Sequence, residues 1–280
     1  MTKRIQSHLR AMVGERHPVT APNHLLAVRQ YLVAHFQAMG YRVTKQPFTS
    51  PEGTAHNVIA TTASSGSGAR SPLLIGAHYD TVPGSPGADD NASALAVLLE
   101  AADALRTVAP ERPIQFVAFS HEEQGLLGST AYAATLRARN NTLAGAIILE
   151  CVGYARSEEG TQRTPPGVPV AVPTVGNFLA VVGNHASQSL TLEVERAMKD
   201  YVPVVPLVVP GNGEALPDTR RSDHAALWDQ GFPAVMLTDT ANFRNPHYHQ
   251  PSDRLDTLNV EFMEQVVRGV VAAARRWRGD

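Results

Sequence analysis

Only one cysteine, Cys151, stands among the 280 residues, so no disulfide forms within the chain and a cysteine-built metal site is excluded. No apolar run reaches the ~18 residues of a membrane span. The opening MTKRIQSHLRAMVGERHP has no apolar core of the kind a signal peptide needs. Excess charge of either sign is also missing: Lys plus Arg is 24 and Asp plus Glu is 26, for a formal charge of −2. That balance gives nucleic acid or an anionic membrane no electrostatic handle. The expectation is a reduced, cytoplasmic protein, with 43% hydrophobic residues to build a sizeable core. Histidine (11) and proline (20) are the plentiful residues, and their placement matters more than their number.

Residues 24–39 place Leu25, Val28, Leu32, Phe36 and Met39 at helical spacing, and Gly40 follows as a stop. YRVTKQPF and HNVIATT read as short strands, and SSGSGAR as a surface turn. PLLIGAHYD, PIQFVAFS, GAIILE, LAVVGN, VPLVVP and PAVMLTD read as buried strands. Helices are expected between them near 92–105 and 186–201, and at the end over 260–277. This alternation predicts a three-layer α/β/α fold around a central, mostly parallel mixed sheet. Nothing divides the chain, so residues 1–280 are expected to form one domain. The Pro-rich stretch 161–174 reads as an excursion over the surface.

In such sheets ligands sit at the carboxyl ends of the strands. There the sequence places His78 and Asp80, then Glu122 and Glu123, then Glu150, with His247, Tyr248 and His249 in a later loop. Asp89 and Asp90 follow the first of these strands. Carboxylates and imidazoles converging on one buried edge need a compensating cation, and N/O donors of this kind suit zinc or a similar divalent metal. His78 and Asp80, two apart on a strand, share a side, so Asp80 can fix the imidazole tautomer. Asp89-Asp90-Asn91 precedes a helix and could cap it, but two adjacent aspartates exceed what a cap needs. Of the paired Glu122 and Glu123, one suits metal binding and the other proton transfer. Glu150 puts a charge inside an apolar run, where a carboxylate needs a partner. The neighbouring Cys151 is expected on the opposite face of the strand. Ser222-Asp223-His224 lacks the turn of a serine hydrolase and reads as no triad.

GAHYDTVPGSPGADDNASA, FSHEEQGLLGS, ECVGY and NPHYHQPSD resemble, in order, the signature blocks of the co-catalytic dizinc aminopeptidases, a family with glutamate carboxypeptidase and glutaminyl cyclase relatives. The resemblance implies a zinc-exopeptidase-like fold with two Zn²⁺ and a peptide or small amide as substrate. It implies His78 and Glu150 as ligands of one zinc, Glu123 and His249 of the other, and Asp89 as the bridge. Asp80 becomes the partner of His78, Glu122 the general base, and Tyr248 the group stabilising the tetrahedral intermediate, with Arg244 as a possible helper. The bond between Asp89 and Asp90 is the expected cis peptide. Two departures stand out: Glu150 occupies a position usually held by aspartate, and Ala94 one usually held by glycine. The favoured reading is an aminopeptidase. A glutaminyl-cyclase-like acyltransferase, which needs one zinc, and a non-catalytic binding protein are the alternatives.

Overall fold

The computed structural model describes residues 1–62, 70–107 and 111–279. The surface turn expected at 64–70 lies, except for Arg70, outside them. The chain opens with α1 (Thr2–Met12), a helix that the sequence pattern did not single out, and α2 (Pro22–Ala38). A hairpin of β1 (Arg42–Ser50) and β2 (Gly53–Thr61) follows, then β3 (Leu73–His78), α3 (Ala94–Arg106), β4 (Ile114–Phe119), α4 (Leu127–Ala138) and β5 (Gly145–Glu150). The second half holds β6 (Leu179–Asn184), α5 (Gln188–Met198), β7 (Val204–Val209), α6 (His224–Asp229), β8 (Ala234–Thr238) and α7 (Val260–Arg276).

The eight strands form one sheet in the order β1-β2-β4-β3-β5-β8-β6-β7. Strands β4, β3, β5 and β8 run parallel to one another, whereas β6 and β7 run against them. The expected mixed α/β sheet is therefore present, and its reversal after β8 decides where the chemistry collects. β3, β4, β5 and β8, adjacent in the sheet, deliver their carboxyl ends to the same edge.

Alternation along the strands sorts side chains onto two faces. Leu73, Ile75 and Ala77 join one core with α1, α2, α3, α5 and α7. Leu74, Val117, Ile148 and Met236 join another with α4 and α6. Gly76 of β3 pairs in register with Ile148 of β5. Two residues further along each strand stand His78 and Glu150, so both ionisable groups emerge on the face covered by α4 and α6. Among the described residues no helix is long and apolar enough to cross a membrane.

The turn after β4 is locked at Gly128, the second residue of α4. Buried Asn57 on β2 donates to the Gly128 carbonyl at 2.8 Å and accepts from the Ser120 amide at 3.1 Å. A Cβ on Gly128 would lie 2.2 Å from the Ser120 carbonyl oxygen, a backbone atom that cannot step aside. Gly128→Ala is therefore expected to cost about 1–3 kcal/mol through overpacking, read from urea unfolding at fixed metal loading. Unchanged stability would show that the β4–α4 turn is not held there.

Candidate metal centre

His78 ends β3, and its Nε2 lies 3.1 Å from Asp90 Oδ1 and 3.4 Å from Glu150 Oε2. Asp90 turns its other oxygen to His249, 3.0 Å away, and that imidazole is 3.3 Å from Glu123. Ligand atoms of His78, Glu122 and Glu150 lie within 4.8 Å of one another, as do those of Asp90, Glu123 and His249. Yet Nε2 of both histidines, both oxygens of Asp90 and Oε1 of Glu123 are buried without a hydrogen-bond partner. Buried polar atoms left so are costly. These atoms crowd together closely enough to share an ion, which suits a donor set, and the N/O composition fits zinc.

The supports are built from backbone. The Asp80 carboxylate accepts the amides of Glu122 and Glu123, each at 3.1 Å, and stands 3.7 Å from His78 Nδ1. One aspartate thus ties the end of β3 to the paired glutamates after β4. Glu150 Oε2 accepts the Ser222 hydroxyl at 2.7 Å. Asp253 receives the amides of Asp89 at 2.9 Å and Asp90 at 3.2 Å.

The structure corrects three expectations. Asp89 does not face the cluster: its Oδ1 accepts from the Gly153 amide at 2.9 Å and its Oδ2 from Asn245 at 2.7 Å, so both oxygens are committed elsewhere. The residue between the two imidazoles is Asp90, and the cis bond is Asp90–Asn91. Cys151 has φ +48°, which ends the strand's alternation, and its thiol donates to Glu150 Oε1 at 3.4 Å instead of pointing to the far face. Arg244 is buried over the Phe178 ring and bonded to Gln162 and the Tyr154 carbonyl. The arginine beside Tyr248 is Arg221, which donates to the phenol oxygen at 3.1 Å while the Tyr248 ring stacks on His249. No triad forms in the 222–224 run, because His224 bonds the Thr219 carbonyl and Ser222 bonds Glu150. His247 bonds Ser252 and stands outside both clusters.

The sequence singled out neither Asp239, Asn245 nor Asp253, and Asp223 only within the run that reads as no triad. Asn245 and Asp253 lie within the NPHYHQPSD block, the one signal that could have raised them. The Pro-rich stretch also does more than cover surface. Pro165, Val168 and Val170 wall a cavity of about 110 Å³ with Phe178, Val182, Leu207 and Met236, and Glu150, Arg221 and Tyr248 also line it.

Electrostatics match an acidic pocket short of cations. Burial, aided by Asp90, raises Glu123 to about 7. Burial also raises Asp223 and Asp253, each to about 7, and puts Glu122 well above the usual range. Burial opposes a charged His249, but Asp90 and Glu123 outweigh it and raise the imidazole to about 10.

A pH dependence follows for metal-free protein. Glu123, Asp223 and Asp253 release protons from the folded state near pH 7 but from the unfolded chain near their ordinary 3.8–4.5. Folding therefore takes up protons, and stability is lost as pH rises through this window. His249 acts in the same direction, since its contribution is complete below 6.5 and fades toward 10. Chelator-treated protein should melt at a lower temperature at pH 8 than at pH 5.5, and metal should narrow the gap. A metal-free melting temperature that rises with pH would contradict this account.

Residues 57–274 match the model of peptidase family M28. The chain is similar to the uncharacterized protein YfbL of Escherichia coli, 34% identical over 288 aligned residues that cover 96% of this chain and 86% of that protein. Its fold is similar to that of the LapA aminopeptidase of Legionella pneumophila, with a TM-score of 0.76 and 21% identity over 100% of this chain and 71% of that one. It is also similar to BSAP, a zinc aminopeptidase from Bacillus subtilis, with a TM-score of 0.61 and 26% identity over 80% of this chain and half, 50%, of that one. The match across most of its length, joined to the acidic and imidazole cluster at the sheet edge, establishes that the chain belongs to peptidase family M28.

Proposed function

We propose that the chain is a single-domain zinc aminopeptidase that removes N-terminal residues from peptides at a dinuclear centre. The observation that carries this reading is Asp90, whose two oxygens face two separate donor groups beside an apolar cavity. His78, Asp90 and Glu150 would hold one Zn²⁺, and Asp90, Glu123 and His249 the other. When bound, zinc would supply Lewis acidity toward the scissile carbonyl and lower the pKa of a bound water toward neutrality.

The chain's own groups account for the rest. Glu122 is buried beside His78 and Glu150, so its carboxylate takes the proton of the attacking water and returns it to the leaving amine. Asp80 holds Glu122 and Glu123 by their amides and faces His78 Nδ1, which orients three functional groups at once. Tyr248 is held by Arg221 and by stacking on His249, which supports a role for its hydroxyl as donor to the developing oxyanion. The cavity beside Glu150 is lined by Val168, Val182, Leu207 and Met236 and suits an apolar side chain on the first residue of the substrate.

Glu122→Gln should keep its zinc and lose about 10²–10⁴-fold in kcat, the usual worth of a general base. Glu123→Gln should instead lose zinc, seen by metal analysis on the same preparations. Equal loss of metal in both variants would sink the assignment of roles. Chelation should abolish hydrolysis of leucyl-nitroanilide, and added Zn²⁺ should restore it. Cyclisation of N-terminal glutamine without peptide hydrolysis would overturn the peptidase reading.

The cavity gives a separate expectation. Val182→Phe, which fills it, should lower kcat/KM for leucyl substrates at least about ten-fold more than for alanyl ones, since one or two methylenes in an apolar pocket are worth roughly 10–200-fold. Equal loss on both substrates would place the substrate side chain elsewhere.

A further inference from the structure

Arg16 is fully buried, yet among the described residues it meets no carboxylate within hydrogen-bond distance. Its guanidinium sits in a cage of five backbone carbonyls. Nε donates to Tyr79 O at 2.9 Å, Nη1 to Met12 O and Gly14 O at 2.8 Å and to Pro86 O at 2.9 Å, and Nη2 to Gly87 O at 2.9 Å. Two of these carbonyls belong to its own segment, one at the last residue of α1 and one just after it. The other three belong to the loop that leaves β3 and leads to Asp90.

The placement of those three is what matters. Tyr79 lies between His78 and Asp80, and Gly87 comes three residues before Asp90. One planar side chain therefore grips both ends of the loop connecting two of the groups assigned to metal. Backbone contacts along the same seam reinforce it: the Arg16 amide donates to Thr81 Oγ1 at 2.8 Å, and the Gly14 amide to Pro86 O at 2.9 Å. Gly87 adopts φ +60°, and a Cβ there would lie 2.7 Å from Arg16 Nη2 and 2.4 Å from Asp90 O. The loop is thus shaped to bring its backbone against the guanidinium.

A buried cation with only neutral partners is costly unless a field opposes the loss of water. Asp90, Asp253, Asp80 and Glu123 provide that field, and although burial lowers the guanidinium to about 10 it stays charged at neutral pH. The attraction is mutual, so Arg16 also offsets repulsion among these carboxylates. Lysine cannot replace this arrangement, because an ammonium has three donors and no planar fork. Arg16 lies before residue 57, where the family match begins.

We propose that Arg16 is a positioning residue of the metal centre: supplied by the N-terminal segment, it fixes the 79–87 backbone so that Asp80 and Asp90 stand where the metal requires them. The proposal rests on the metal reading above. It separates Arg16 from an ordinary core residue, which would support the fold and leave the metal affinity of folded protein untouched.

The test uses the full chain as wild type, Arg16→Lys and Arg16→Ala, with Zn²⁺ affinity measured by chelator competition and Co²⁺ absorption spectra recorded alongside thermal unfolding. Arg16→Lys should fold and bind Zn²⁺ roughly 10–100-fold more weakly, the range for groups that orient metal ligands. Its Co²⁺ bands should shift, as the ligand geometry is altered. Guanidinium ion added to Arg16→Ala should recover part of the affinity, and methylammonium should recover less. If Arg16→Ala does not fold, the lysine variant alone decides. A lowered melting temperature with wild-type Zn²⁺ affinity and an unshifted Co²⁺ spectrum in the lysine variant would overturn the positioning role. Wild-type protein that binds no Zn²⁺ would overturn the metal reading and this proposal together, whereas tight binding by all three proteins would overturn this one alone.

Discussion

Everything at the sheet edge depends on Asp90 presenting one oxygen to His78 and the other to His249. Both its oxygens are buried without a hydrogen bond, and the groups they face are the two imidazoles. Glu122, Glu123, Glu150 and Asp223 crowd a region where, among the described residues, the buried arginines are Arg16 and Arg244, both held by neutral oxygens. Such an accumulation is unfavourable on its own and becomes reasonable only as a receptor for positive charge. Stability and function are therefore linked at this point, because the arrangement that strains the metal-free protein is the one that would bind the ions.

The sheet makes the accumulation possible. Strands β3, β4, β5 and β8 run in one direction and end together, and the pairing of Gly76 with Ile148 carries His78 and Glu150 onto one face. Reversal of β6 and β7 sends the ends of those strands, Asn184 and Val209, to the other edge. What β6 and β7 contribute near the site is apolar surface, since Val182 and Leu207 line the cavity beside Glu150. Strand direction thus sets the polar centre and the apolar recess side by side.

Loops complete what the strands begin, and backbone groups do most of the holding. Asp80 clamps the amides of Glu122 and Glu123, Asp253 those of Asp89 and Asp90, and Arg16 the carbonyls along 79–87. Each uses a charge to fix a main-chain segment that carries candidate ligands. A candidate ligand loop pinned through its backbone has little freedom to collapse.

The sequence determined the class of sheet, the strands that end in ionisable residues and the chemical character of the centre. Those properties follow from local periodicity and from the cost of burying charge, and both can be read residue by residue. Glu150 was legible because a charge within IIL-Glu-CVG has no local explanation. Whether Asp89 or Asp90 faces the imidazoles was not, because neighbours on an extended loop point apart and only contacts with Gly153 and Asn245, far along the chain, choose between them. Cys151 was misplaced for a related reason: its left-handed backbone ends the alternation one residue sooner than the apolar run suggests. Arg221 and Arg16 carry no local signal of their role, and Asp253 none beyond its place in the NPHYHQPSD block. Their partners lie 27, 63 and 164 residues away in the chain, at Tyr248, Tyr79 and Asp89, and contacts at such separations exist only once tertiary structure has brought the segments together.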